Sequence, residues 1–253
     1  MSLFLTRTIG LSWRTMSSSH TVSLLGSNRY YNDVGGSYAG LSFGRKNYIQ
    51  GVDGVLKNLG IPKKSKWLDV GSGDGARALL LAGETGWQLS VSEPTTLLDE
   101  KFELENPKVF VIRTSVEEIP VGFGEFDLVT LLWNVLGHVD NPQTVLAKAW
   151  ELLRPGGIIF FDVNNFLNLR NYGVLRYGMN YVRSRSGELI FSIPQNDELG
   201  TGRARVRLFS EAGVEKNLQR CGFREISTSF VDYRTGRVVR RSSQGQIVVQ
   251  AVK

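Results

Sequence analysis

The chain has 253 residues, a formal net charge of +6 and an apolar share of 42%, enough for one α/β domain with an inserted cap. No stretch approaches the roughly 18 to 20 consecutive apolar residues that span a bilayer. The single cysteine, Cys221, excludes an internal disulfide, a zinc cluster and a redox pair. A reducing compartment is expected, with the cytoplasm the first choice.

The first 32 residues carry no acid before Asp33, but they hold Arg7, Arg14 and several serines and threonines. Acid-poor, Arg- and Ser-rich starts resemble transit peptides, which keeps a mitochondrial or plastid location open. No long apolar segment with a small-residue cleavage site suggests secretion. Residues 1–28 therefore read as a flexible tail or targeting segment, and 29–253 as the folded domain.

Tyr48, Ile49, Val52, Val55, Leu56 and Leu59 recur at near-helical spacing, and Gly60 and Pro62 close that helix. "SKWLDV" reads as a short buried strand ending at glycine, and "ARALLLAGE" as the helix after it. "WQLSVSE", "KVFVIRT" and "FDLVTLLW" continue as strands. "NPQTVLAKAWELLRPGG" reads as a helix capped by Asn141, opened by Pro142 and stopped at Pro155-Gly156-Gly157. "IIFFDV" is a fifth strand, apolar on both faces. Strands alternating with helices in continuous apolar runs indicate a mainly parallel sheet covered on both sides.

From about Asn165 to Gly202 the alternation breaks. This segment is too long for an ordinary loop and too apolar for a linker, so it reads as a cap inserted after strand five. "FSEAGVEKNLQRCGF" then gives a helix with Ser210 as N-cap and Gly222 at its end. "REISTSFVDY" and "GQIVVQAVK" close the chain as two strands.

"LDVGSGDG" places three glycines, Gly71, Gly73 and Gly75, at alternate positions between a strand and a helix. Glycine allows the tight turn and lets backbone approach a ligand closely, and ligands of such sheets sit at the carboxyl ends of the strands. Gly71, Gly73 and Ala76 also satisfy a relaxed dinucleotide fingerprint, G-x-G-x-x-G/A. Two acids separate the alternatives. Asp69 would repel a pyrophosphate and attract an ammonium group. Glu93 closes the second strand 22 positions after Gly71, where a carboxylate can accept from both ribose hydroxyls.

With "SVSEP", "FDLVTLLWNVLGHVDNP" and "AWELLRPGGIIFF" following in order, the chain resembles the class I S-adenosylmethionine-dependent methyltransferases, in their small-molecule (type 11/25-like) branch. The resemblance spans Trp67–Phe161 and resumes from about Leu208. It implies a Rossmann-like three-layer α/β sandwich with a seven-stranded, mostly parallel sheet, an antiparallel last strand, an N-terminal helical lid and the insert after strand five.

The resemblance also implies a site. Asp69 and the backbone of Gly71, Gly73 and Gly75 would receive the methionine part of S-adenosylmethionine, and Glu93 the ribose. Ser115 and Val116 would lie by the adenine, although relatives commonly have an acid where Ser115 stands. Tyr31 and Tyr38 in "RYYNDVGGSYAGLSFGR" would close over the cofactor, and Arg45 would bind its carboxylate. Trp133 and Asn134 would line the tip of strand four. His138 is the candidate general base, with a backbone-bonded turn histidine as the alternative.

Absences narrow the substrate. The end of strand four reads "LLWN" and lacks the Asn/Asp-Pro-Pro-aromatic motif of amino-methylating nucleic-acid enzymes. Cys221 lies at a helix exit, away from the place of a nucleophile. Asp162, Asn164 and Asn165 only partly match a metal site, so none is expected. The expected function is metal-independent methyl transfer to an O, N or C atom of a small molecule, anionic or aromatic, shaped by Tyr172, Tyr177, Tyr181 and Arg170, Arg176 or Arg183 of the insert. An RNA or protein substrate, and a silent S-adenosylmethionine-binding protein, remain as alternatives.

Overall fold

The computed structural model describes residues 46–120, 122–183, 189–194 and 203–253. The lid segment with Tyr31, Tyr38 and Arg45 lies outside them, as does the proposed targeting segment. The first described helix, α1 (Lys46–Lys57), buries Tyr48, Val52 and Leu56, one residue per turn on a single face. Five strands then alternate with helices: β1 (Lys66–Val70), β2 (Gln88–Ser92), β3 (Phe110–Ile112), β4 (Phe126–Leu131) and β5 (Leu153–Val163). Between them lie α2 (Ala76–Thr85), α3 (Glu100–Glu105), the short α4 (Val135–His138) and α5 (Pro142–Leu152). Asn141 caps α5 as expected, its side chain accepting from the Gln143 and Thr144 amides.

Past β5 come α6 (Leu169–Arg183), the hairpin β6 (Leu189–Pro194) and β7 (Arg203–Leu208), α7 (Glu211–Arg220), β8 (Arg224–Val231), β9 (Val238–Val239) and β10 (Gln246–Val252). The main sheet runs β3-β2-β1-β4-β5-β10-β8-β9. β1 to β5 pair in parallel, and β10 lies antiparallel between β5 and β8. The sheet thus has eight strands where seven were expected. The eighth, β9, is the two-residue return of the arginine-rich turn and pairs only with β8; two residues carry no periodicity that a sequence could show.

The helix before β5 also ends sooner than expected. It stops at Leu152, and β5 already begins at Leu153, passing through Pro155-Gly156-Gly157 as strand. A register shift opposite Phe126–Leu128 absorbs the extra length. A Cβ at Gly157 would stand 2.9 Å from the Phe126 carbonyl oxygen, so this glycine admits the neighbouring strand and terminates no helix.

Alternation along the strands divides the core in two. Leu68, Val129, Leu131, Phe161 and Val249 face α5 and α7. Trp67, Leu128, Phe160 and Val248 face α1, α2 and α3. The same alternation puts Asp69, Thr130 and Asp162 on the α1–α2 face, and the register sets Asp69 beside Thr130. Strand order reverses between β1 and β4, so the carboxyl ends of these two strands form the switch point at which such sheets bind ligands.

The described parts of the insert carry regular structure, and β7, the partner of its strand β6, continues to Leu208. α6 is interrupted at Gly173, and β6 and β7 pair as a separate two-stranded sheet up to Leu208. Phe166, Val206 and Leu208 form its small core, with Leu167 and Tyr172 against it. Reciprocal amide bonds, Phe166 to Phe209 and Phe209 to Asn164, fasten it to the end of β5.

α1 is held at close range. Asn47 donates to the Arg234 carbonyl at 3.1 Å, and a Cβ on Gly236 would overlap the Asn47 carbonyl. Gly236 also has φ +69°, so a side chain is strained there on two counts. We expect Gly236→Ala to destabilise the fold by about 2–4 kcal/mol, read as a fall in Tm by calorimetry; an unchanged Tm would mean that α1 is not seated on this turn.

Candidate functional site

The turn after β1 explains the glycine spacing. Gly71, Gly73 and Gly75 all have positive φ, at 67°, 60° and 75°, a region that other residues enter only at a cost. A Cβ on Gly71 would stand 2.7 Å from the Val135 side chain, and one on Gly75 would overlap the Phe102 ring. The turn is drawn over the switch point by amides: Gly71 donates to the Ser92 carbonyl at 2.7 Å, and Gly75 to the Ser72 carbonyl at 3.1 Å.

Glu93 closes this turn. The Gly73 amide donates to its Oε2 at 2.9 Å, and the Thr95 amide and hydroxyl donate to Oε1 at 3.0 and 2.6 Å. Glu93 is 5% exposed. Burial raises its pKa, against the Thr95 and Gly73 bonds, which lower it. Oε1 thus accepts two bonds and Oε2 one, so Oε2 keeps acceptor capacity for a further donor.

Asp69 is buried one strand away. Trp67 donates its indole N–H to Thr130 Oγ1 at 2.8 Å, and Thr130 donates to Asp69 Oδ1. Burial pushes Asp69 up to about 7, partly offset by the Thr130 bond and the Arg77 charge. An acid so placed is stabilised in its ionised form by an arriving cation.

Beyond β4 the backbone turns through two non-glycine residues with positive φ, Trp133 at 67° and Asn134 at 60°. Such strain persists only where surrounding contacts hold it. Asp162 at the end of β5 supplies them. Its Oδ1 accepts from the Trp133 amide at 2.6 Å, and its Oδ2 from the Tyr48 hydroxyl at 2.9 Å. Burial raises the Asp162 pKa, opposed by the charge of Arg77 and by these bonds. Asn134 Oδ1 accepts from the Asn164 amide at 3.0 Å. Asn165 is spent on the Ser242 and Gly245 carbonyls. The three residues that partly matched a metal site therefore shape the turn and its neighbourhood.

Several of these residues were not singled out from the sequence. Tyr48, Thr130 and the Arg77–Asp53 pair belong to the network; Arg77 meets Asp53 at 2.6 Å and ties α2 to α1. Strand alternation puts Thr130 and Asp69 on one face, and the pairing of β1 with β4 makes them neighbours. Ser115 and Val116 follow β3 beside the end of β2, where the Ser92 hydroxyl donates to the Thr114 carbonyl at 2.8 Å. Val116 packs in the core on the α5 face, so its side chain is committed there. Ser115 precedes the 3-10 turn Val116–Glu118 and makes no capping bond with its side chain. The tyrosines of the insert do not gather into one wall: Tyr172 joins the small core, while Tyr177 and Tyr181 stack on each other with Tyr181 63% exposed. The Arg176 and Arg183 side chains lie outside the described residues.

His138 ends α4 and is half-buried. Burial pushes its imidazole down to about 4, so it stays neutral above about pH 5. We expect kcat at saturating cofactor to show no inflection near 6.5 that depends on this residue; an acid limb there that His138→Gln abolishes would contradict its placement.

The arrangement fits an adenosyl cofactor with a cationic end. An acceptor for hydroxyls stands at the tip of β2, a buried acid near β1, and a glycine cradle between them that Cβ atoms would fill. In the same turn the buried Ser72 hydroxyl has no hydrogen-bond partner among the described residues, a polar atom open to a ligand.

A family model described as "Methyltransferase domain" matches residues 43–227, and the chain belongs to this family. Among curated proteins it is similar to the ubiquinone biosynthesis O-methyltransferases of Aromatoleum aromaticum, 33% identical over 136 residues (52% of this chain, 56% of that one), and of Thiobacillus denitrificans, 34% identical over 121 residues (46% and 51%). The chain spans about half the length of these relatives. Among solved structures it is similar in fold to the CcbJ methyltransferase of Streptomyces caelestis, with a TM-score of 0.62 at 16% identity (87% of this chain, 96% of that one). A second is the Burkholderia thailandensis 1,6-didemethyltoxoflavin-N1-methyltransferase, with a TM-score of 0.59 at 18% identity (88% and 87%).

Proposed function

We propose that the chain is a metal-independent S-adenosylmethionine-dependent methyltransferase acting on an O, N or C atom of a small molecule. The observation that carries this is the glycine turn closed on Glu93, with the Gly73 amide donating to the carboxylate and Asp69 buried behind it. The bound cofactor supplies an electrophilic methyl group for in-line displacement. The chain's own residues do the rest. Glu93 would hold the ribose hydroxyls, the amides of Gly71 to Gly75 would border the methionine part, and ionised Asp69 would balance its ammonium and sulfonium charges. The Asp162 clamp fixes Trp133 and Asn134 at the tip of β4, where alignment and exclusion of water decide the rate.

The relatives support a small acceptor, since they include a ubiquinone biosynthesis O-methyltransferase and a 1,6-didemethyltoxoflavin N1-methyltransferase. A cytoplasmic setting goes with the single cysteine. Among the described residues no helix is long and apolar enough to cross a membrane.

His138 is the proposed base where the acceptor must lose a proton: burial keeps its imidazole neutral but weakly basic, which suits an acceptor whose proton leaves late in the transfer. His138→Gln should lower turnover roughly 100-fold or more with cofactor affinity unchanged. A loss under about threefold would leave alignment alone as the source of rate. The function itself is tested by mixing the protein with methyl-labelled S-adenosylmethionine and panels of phenols, amines and carboxylic acids, then following labelled product. Transfer to a member of the panels is expected. Tight cofactor binding with no transfer to any acceptor class, RNA and protein included, would make the chain a silent binding protein.

A further inference from the structure

A second polar site lies on the same edge of the sheet. A shallow crevice lined by Asn168, Arg170, Asp232, Tyr233, Arg234 and Gln244 opens where β5 and β8 end and β10 begins, the edge that also carries the glycine turn. Asn168 is 1% exposed. Its Oδ1 accepts from the Asn171 amide at 3.1 Å, which fixes the orientation of the amide. Its Nδ2 is buried and has no hydrogen-bond partner among the described residues. A buried donor left in this state costs free energy unless a ligand supplies an acceptor.

The charges around the crevice favour an anion. Asp232 is 2% exposed, and its Oδ1 is engaged by the Arg234 and Thr235 amides and the Thr235 hydroxyl. Its Oδ2 pairs with Arg170 at 3.0 Å. The lining thus holds two arginines, Arg170 and Arg234, and one carboxylate, leaving one positive charge in excess. The Arg170 side chain is 53% exposed and has room to turn toward a ligand. Tyr233 forms one wall, its ring 5.1 Å from Tyr48, which in turn lies 6.3 Å from Trp133. This aromatic ladder joins the crevice to the tip of β4.

We propose that this crevice binds the carboxylate of the methyl acceptor, with the Asn168 amide and the Arg170 and Arg234 guanidinium groups as its donors. The proposal rests on the methyltransferase reading and adds to it the class of substrate, a small carboxylic acid anchored away from the methyl donor. A single excess charge and little depth suit a monoanion with two oxygens better than a phosphate.

The test is a ¹H–¹⁵N NMR titration of the full chain with benzoate, benzamide and inorganic phosphate, alongside calorimetry with S-adenosylhomocysteine. Benzoate is expected to move the Asn168 side-chain amide signals saturably. Benzamide and phosphate should bind at least tenfold more weakly. Asn168→Asp keeps the capping oxygen and replaces the donor with an anion, so it should weaken benzoate at least tenfold. Arg234→Gln, on an exposed side chain, should weaken it about threefold or more, and both variants should bind S-adenosylhomocysteine within twofold of wild type. Equal binding of benzoate and benzamide, tighter binding of phosphate, or benzoate binding untouched in both variants would overturn the proposal. Benzoate behaving as expected in a protein that does not bind S-adenosylhomocysteine would keep the carboxylate site and remove the methyltransferase reading.

Discussion

Replacing Glu93 with alanine is expected to weaken S-adenosylmethionine binding at least 100-fold. Two effects combine. The carboxylate would accept from one ribose hydroxyl at Oε2 and from the other where it takes the place of the Thr95 hydroxyl at Oε1, and hydrogen bonds to a charged group contribute about 1.5–3 kcal/mol each. A loss of about 3–5 kcal/mol corresponds to roughly 100- to 5,000-fold in Kd. The same carboxylate receives the Gly73 amide, so its removal also frees the middle of the glycine turn. Glu93→Gln keeps one acceptor oxygen and should lose much less, about tenfold. Calorimetric titration of both variants checks the pair. Equal, small losses would mean that the ribose is held elsewhere.

The second large effect concerns pH. Asp69 stands at about 7 in the ligand-free protein because burial disfavours its charge. A cationic ligand favours the ionised form, so binding lowers that pKa and releases a proton. Affinity should therefore rise as pH increases toward 7 and level off above it. On the acid side, Kd should grow by up to about tenfold per pH unit. The ligand's own amino group, near the ordinary 8 for an α-amine, would begin to lose its charge on the alkaline side. Asp69→Asn should bind weakly at every pH and show no acid limb. Stability of the ligand-free protein should move the opposite way: a carboxyl whose folded pKa is raised contributes most below its unfolded value, and that contribution is lost as pH rises through 7. A wild-type affinity that is flat from pH 5 to 8 would show that Asp69 does not sense the ligand.

The parts of the site that the sequence displayed are those built within a few residues. Alternate glycines between an apolar run and a helix-forming run need positive φ to turn there, and the structure has it at all three. Glu93 was legible because the acid ends a strand whose neighbour carries the glycines. The order of strands and helices was legible from alternation, although β9 and the start of β5 were not. Asp162 illustrates what stayed hidden. Its partners, the Tyr48 hydroxyl and the Trp133 amide, lie far apart in the chain, and no local pattern links a helix tyrosine to the end of the fifth strand. The left-handed pair Trp133–Asn134 was equally hidden, since Asn enters that region more often than most residues but a preceding Trp does not. The insert gave no regular period because α6 breaks at Gly173 and the hairpin buries only a small core.

The most direct measurement of the central claim is calorimetric titration of the wild-type chain with S-adenosylmethionine at pH 7.5, repeated in buffers of different ionisation enthalpy to count protons. The account predicts one site per chain with a micromolar Kd and, from the pKa of Asp69, a fraction of a proton released on binding, rising toward one as the pH is lowered through 7. No heat of binding at millimolar ligand, or binding without proton release at pH 6.5, would contradict it.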